Sequence, residues 1–446
     1  MNIPGPEPRP DGGVGAIARA GGLHAYQLWL HAEYGPVARF QLPGADTAVS
    51  IADPVLLEAA VGLDERPERL FSFLDPLFEA GNLQVLPADE HEPWRRLLLG
   101  VLAGRPAHER HFARFTALAT ELADRWAALP AGRPVELQRE LTALSLRMIC
   151  AFALGGEVED PDGVVEAFET VLAGQLERLY RPPGAVAPAE GAERTARALA
   201  VLRRTVDRAV AAHRGGGPGG DRSDLIGALV EAGEHPARIR DTVLTVLLAA
   251  HHTTGVAVSW TLHLLAGHPG AAGRVTAELD RVLGDRDVPD HADLHRLPYL
   301  EMVLKESLRR YPPGPYGARR TAAPLTVGPY RLPAGAVVFL PIRAVHLNPA
   351  YWPEPERFRP ERFGPEESAG RHRLAWIPFG MGPRACEGAR LATLEALLLL
   401  AVLLKRLRFR PVPGHPVVPV ERFVLWAAED IRMLVGPRAE RGPDRS

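Results

Sequence analysis

Cys386 lies in the run IPFGMGPRACEGARLATLEALLLL, between a Gly/Pro-rich loop and the start of a strongly helical segment. A helix N-terminus offers free N–H groups and partial positive charge, which stabilise a thiolate, so this cysteine is placed to be a metal ligand. Gly382 and Gly388 permit tight backbone turns and the close approach of a flat cofactor, while N–H groups of the loop can point at the sulfur and tune it. Arg384 is placed to pair with a carboxylate of the same cofactor. The chain has 2 cysteines in all. The other, Cys150 in RMICAFAL, reads as a small core residue. Two isolated cysteines exclude a disulfide framework and any multi-cysteine zinc or iron–sulfur site, and they fit a reducing, cytoplasmic setting.

The elements that must carry this loop are mostly helices. The segments ARFTALATELADRWAAL and ELTALSLRMICAFAL repeat apolar residues at three and four, the spacing of amphipathic helices. A helix over residues 237–268 is apolar nearly all the way round and is expected to pass through the middle of a large domain. Its polar centre, His251 to Thr254, is therefore conspicuous. VARFQL and TAVSIADP read as strands joined by a turn, and short strands broken by Pro and Gly follow the helical part. The clearest loops are residues 179–192 and 214–224, and neither is long enough to be a domain linker. We expect one large, mainly helical domain with a minor β region over residues 1–446, with a poorly ordered segment at 1–20 and a polar tail at 434–446.

With 446 residues, 46% hydrophobic, there is ample material for such a core. A formal net charge of -2 argues against a nucleic-acid-binding surface as the main business of the chain. The opening MNIPGPEPRPDGG carries no apolar stretch for a signal peptide or membrane anchor, and no later apolar run reaches spanning length, so a soluble protein is expected.

Phe379, Gly382, Arg384, Cys386, Gly388 and Ala392 match, at every spacing, the haem-binding loop of the cytochrome P450 family, which the chain resembles along nearly its whole length. The resemblance is densest over residues 242–396. It implies the family's mainly α fold with a long central helix over the haem. It implies haem b as cofactor, with Cys386 as the axial thiolate. Glu306 and Arg309 match the family's Glu-x-x-Arg pair, and Arg362 in WPEPERFRPERF matches the basic residue that completes a buried cluster; the three are expected to hold the architecture behind the haem. His91 and Arg95 match a His-x-x-x-Arg element that contacts the haem propionates in bacterial members, by charge-assisted hydrogen bonds to carboxylates. Arg319 or Arg320 in GARRTA is the third expected propionate partner, with Arg320 preferred.

Splitting dioxygen on a haem requires two protons in a pocket that otherwise excludes water, so a polar relay must interrupt an apolar wall. AAHHTT at residues 249–254 is such an interruption. Thr253 matches the family's oxygen-activating threonine, while Ala250 stands where Gly is common and His252 where an acid is common. Histidine titrates near neutral pH and can relay a proton, so His252 is the second expected catalytic residue, with His251 the alternative. No flavin, nicotinamide or iron–sulfur motif is present, so electrons must come from a separate donor, expected to be a ferredoxin with its reductase. RHR at 371–373 with Arg95 and Arg96 is a candidate basic patch for it.

The expected activity is oxidation of a hydrophobic small molecule by dioxygen, with a terpenoid or polyketide of bacterial natural-product biosynthesis as the expected substrate and a monomer as the expected state. A sterol or triterpenoid demethylase is the first alternative, raised by the His-His-Thr signature. A haem protein that binds a ligand without turnover, and an enzyme that rearranges an oxygenated substrate without external electrons, are the others.

Overall fold

The computed structural model describes residues 2–42, 45–155, 160–180, 189–215 and 224–438. After helix α1 (Leu23–Tyr34), strands β1 (Val37–Leu42) and β2 (Ala45–Ile51) pair antiparallel with Val37 opposite Ile51, as the alternating run VARFQL requires once one face is buried. The helical body follows as α2 (Ala88–Leu102), α3 (Arg105–Ala127), α4 (Leu137–Leu154), α5 (Pro161–Tyr180), α6 (Ala189–Gly215), α7 (Pro236–Ala266), α8 (Pro298–Arg310) and α9 (Ala389–Arg406). Strands β3 (Gly317–Arg320) and β4 (Val337–Leu340) return to the first hairpin, where β4 runs parallel to β2 and antiparallel to β3. The fold is mainly α, with small sheets set beside the helices.

Helix α7 is the axis. It begins at Pro236, where a missing N–H costs nothing, and the ring of His235 accepts from Ala237 N. It is long and apolar enough to cross a membrane, which the sequence reading had denied to every segment, yet 78% of its most apolar stretch is buried inside the protein. Helices α4, α6, α8 and α9 surround it. The closest approach is to α4: a Cβ on Gly255 would lie 2.6 Å from the backbone of both Leu141 and Thr142. Ser145 Oγ of α4 donates to the Ala250 carbonyl at 2.9 Å, about one turn further along the same crossing.

Two boundary expectations change. The N-terminal segment is not loose: Arg39 N of β1 donates to the Pro4 carbonyl at 2.8 Å, and Arg9 N donates to Gln41 Oε1 at 2.6 Å. Backbone and side-chain groups of β1 supply that order, and composition carries no sign of it. Residues expected to open a polar tail at 434 instead belong to a strand, Arg432–Pro437, paired antiparallel with Leu407–Pro411. Residues 439–446, and the middles of the loops expected at 179–192 and 214–224, lie outside the described residues.

Gly255→Ala is expected to cost roughly 1–3 kcal/mol, because the methyl meets backbone rather than a side chain that can turn aside. Gly267→Ala, where the nearest atom would be 3.6 Å away, serves as control. Thermal unfolding of both variants checks this, and equal melting temperatures would show that the crossing can widen freely.

Candidate functional site

Cys386 stands two residues before the N-cap of α9, at the end of a loop that closes on itself through Cys386 N donating to the Phe379 carbonyl at 2.8 Å. Gly382 adopts φ +67°, and a Cβ there would fall 1.9 Å from the Val61 carbonyl oxygen, so only glycine fits. The Gly388 N–H points at the sulfur. The thiol opens into a cavity and is otherwise crowded by protein. Burial, with Glu387 adding to it, pushes it up to about 11, against the pull of the Gly388 N–H and of Arg95 and Arg66. Such a thiol is held neutral until a cation faces it, and metal coordination supplies one.

The cavity, about 910 Å³ of empty space counted out to open solvent, runs from Cys386 to α7. Its α7 wall is Thr242, Thr245, Val246, Ala249, Ala250, Thr253 and Thr254, a single helical face of spacing three and four. Leu83, Leu98, Leu102 and Ile149 make the apolar sides. Thr253 Oγ donates to the Ala249 carbonyl at 2.9 Å, which turns an oxygen lone pair toward the cavity. Thr254 Oγ donates to Glu395 Oε2 at 3.3 Å. Glu395, a lone acid in the apolar run of α9, is pushed up to about 8 by desolvation, so it carries its proton at neutral pH.

At the other end stands a cluster of cations. Arg384 Nε donates to the Asp64 carbonyl at 2.7 Å while its Nη1 has no partner among the described residues. Arg66, Arg95 and Arg319 lie close enough to shift, or be shifted by, the same group of charges. Burial, with Arg66 and Arg384 beside it, lowers Arg319 to about 9, and burial lowers Arg66 to about 10. The anions facing them are Asp64 and Glu387. Four guanidiniums against two carboxylates leave two positive charges unbalanced, and His91 Nδ1, Arg66 Nε and Trp94 Nε1 have no hydrogen-bond partner among the described residues. A flat cofactor bearing two carboxylates and a metal facing Cys386 fits this donor set, and haem is such a group.

His91 is buried, 3.6 Å from Asp64, and is lowered to about 4 by desolvation with Arg384 next. Arg95 bonds the Ala385 carbonyl and Glu387 in the cysteine loop. The preference for Arg320 reverses. Successive strand residues face opposite ways, and in β3 it is Arg319 that turns inward, donating to the Met381 carbonyl at 3.4 Å, while Arg320 is 47% exposed and pairs with Glu65 at 2.9 Å. His251 and His252 do not line the cavity. Both point to α5, where His252 Nε2 meets Glu169 Oε1 at 2.8 Å, because their positions fall off the face that carries 249, 250, 253 and 254. Burial drives His251 down to about 3, with His252 adding to the shift. The basic patch is largely spoken for: Arg373 and His372 engage Glu58, Arg371 stacks on Trp352 at 4.1 Å, and Arg96 pairs with Glu92 at 2.7 Å.

Glu306 and Arg309 form a bidentate pair at 2.7 and 2.8 Å with neither side chain exposed, and Arg362 Nε lies 3.5 Å from the same carboxylate. Arg309 also donates to the His346 carbonyl at 2.9 Å, and the His346 ring accepts from Ile377 N at 2.8 Å, at the root of the cysteine loop. The sequence reading missed Asp64, Arg66, Trp94, Glu387 and Glu395. Only Glu395 carried a signal, an acid within an otherwise apolar helix.

The family model for Cytochrome P450 matches residues 4–435. Cyclooctatin synthase of Streptomyces melanosporofaciens is 35% identical over 323 residues, covering 70% of this chain and 70% of the relative. Cyclooctat-9-en-7-ol 5-monooxygenase of the same organism is 34% identical over 349 residues, covering 75% of this chain and 73% of the relative. A crystal structure of the cytochrome P450DA heme domain superposes with TM-score 0.89 at 25% identity, covering 98% of this chain and 97% of that one.

If Arg319 completes the anion-binding cluster, Arg319→Leu weakens haem retention by roughly tenfold or more, the worth of a charge-assisted hydrogen bond. Arg320→Leu leaves retention unchanged. Transfer of haem to an excess of apoglobin measures both, and equal transfer rates would sink the assignment.

Proposed function

The chain belongs to the cytochrome P450 family, and from that premise we propose that it oxidises a bacterial terpenoid, with Cys386 as the residue that would hold its haem iron. As a family member it is an oxidoreductase, a monooxygenase that takes a hydrophobic substrate, dioxygen and electrons from redox partners. When bound, haem supplies the iron at which dioxygen is activated and one oxygen atom is delivered to the substrate.

The observation that carries the reading is that one cavity is lined by Cys386, Thr253 and three cations, Arg66, Arg95 and Arg384, under an apolar wall. In our proposal Arg66, Arg95 and Arg384, with His91 and the neighbouring Arg319, would hold the two carboxylates of the haem. Thr253 accepts a hydrogen bond in the cavity while its own proton is held by Ala249. Glu395, carrying its proton beside Thr254, is a buried acid where water is otherwise kept out. These two, rather than His252, form the proton relay.

The terpenoid assignment rests on the two Streptomyces relatives, both named for cyclooctatin or a cyclooctatenol. The leucine, isoleucine and valine side chains of the cavity suit such a hydrocarbon. The sterol-demethylase alternative drew on the His-His-Thr signature, and both rings lie off the cavity face, so nothing now favours it. Electrons come from a ferredoxin and its reductase in this reading, and the chain works as a monomer in the cytoplasm.

Two measurements test it. Titrating the ferric protein with terpenoids, sterols and macrolides should shift the haem band toward high spin for terpenoids first; a response confined to sterols would replace the substrate class. Cys386→Ser should abolish the thiolate-type spectrum of the reduced carbon monoxide complex, and an unaltered spectrum would remove Cys386 as the ligand.

A further inference from the structure

On the side of α7 turned away from the cavity, Glu169 of α5 faces two adjacent histidines. His252 Nε2 lies 2.8 Å and His251 Nε2 3.5 Å from the same carboxylate oxygen. Neighbouring residues on a helix ordinarily diverge by about 100°. Here the two imidazoles stack instead, with centroids 4.1 Å apart and planes 19° from parallel, so both rings lie on the Glu169 side of the helix and have only to splay for their Nε2 atoms to share one ion. The three ligand atoms lie within 4.8 Å of one another. His251 is completely buried, and neither of its ring nitrogens has a hydrogen-bond partner among the described residues. An unsatisfied buried polar group costs roughly 1–3 kcal/mol, so this arrangement is unfavourable unless something fills it.

We propose that Glu169, His251 and His252 bind a divalent transition-metal ion of the zinc class, at a site separate from the haem. The ligands are Nε2 of each histidine and one oxygen of Glu169, with water completing the shell. Two imidazoles and a carboxylate suit zinc and disfavour calcium or magnesium, which require more oxygen ligands. Zinc–nitrogen bonds of about 2.0–2.1 Å set tetrahedral ligand spacings near 3.3 Å. The 3.5 Å separation already matches, and the 2.8 Å hydrogen bond opens when His252 moves its proton from Nε2 to Nδ1. Glu169 is 49% exposed, which gives a hydrated ion access from solvent, while Phe168 packs edge-on to His251 and Trp426 edge-on to His252. An ion there ties α5 to the residue immediately before Thr253, so its occupancy is felt at the α7 wall of the cavity.

The test uses full-length, haem-loaded protein stripped with a chelator and equilibrated with zinc chloride, with bound zinc measured by elemental analysis. One equivalent per chain is expected at micromolar free zinc, with affinity reduced about tenfold or more in Glu169→Gln and in His251→Asn. Zinc K-edge absorption on the wild-type protein, which depends on no variant, should report two imidazole nitrogens with oxygen ligands. Absence of a bound equivalent, undiminished affinity in both variants, or an absorption spectrum lacking the imidazole pair would each overturn the proposal.

Discussion

A fully buried carboxylate is the constraint on which the rest of the molecule depends. Glu306 is completely enclosed and has Arg309 and Arg362 as counter-charges. Removing one member of such a cluster strands a buried charge at a cost of about 3–5 kcal/mol, so the cluster exists in one geometry or not at all. Much of the irregular chain hangs from it. Arg359 N donates to Glu306 at 2.9 Å, Arg309 reaches the Pro355 and His346 carbonyls, and Arg362 reaches the Glu354 carbonyl. Through the His346 ring and Ile377 N the same geometry reaches the loop that presents Cys386. A stretch with almost no regular secondary structure is thereby held as firmly as a helix.

The cavity is built by opposition. One end gathers guanidinium groups beyond what Asp64 and Glu387 neutralise, while the other presents hydrocarbon and the four threonines of α7. Low polarity around Glu395 keeps that acid protonated, and the same low polarity raises the worth of every hydrogen bond made inside. Helix α7 serves both sides of the protein because its faces differ. Positions 249, 250, 253 and 254 meet the cavity, Gly255 meets α4, and 251 and 252 meet α5.

Legibility in the sequence followed locality. The Cys386 loop packs its chemistry into a dozen consecutive residues, so spacing alone identifies it. The apolar run around α7 and the polar break inside it were equally plain. What failed were choices of direction. GARRTA holds two arginines, and which faces inward depends on how β3 pairs with β4, which no local pattern states. His252 was assigned to the relay from its place in a motif, yet helical geometry turns it toward Glu169, a residue more than eighty positions away that no motif marks. Arg66 enters the cavity, and Asp64 meets Arg384 beside it, from a turn whose sequence, LDERPE, looks like any solvated loop. The order of the first residues was hidden for the same reason, since it is made by backbone and side-chain groups of β1.

The surplus of positive charge at the cavity floor has a consequence for the stability of the fold. A chain folded without its cofactor must crowd Arg66, Arg319 and Arg384 together with too few anions, and that repulsion is relieved only when the dianion arrives. Binding of the dianion therefore stabilises the folded chain, since whatever binds the native state alone draws the equilibrium toward it.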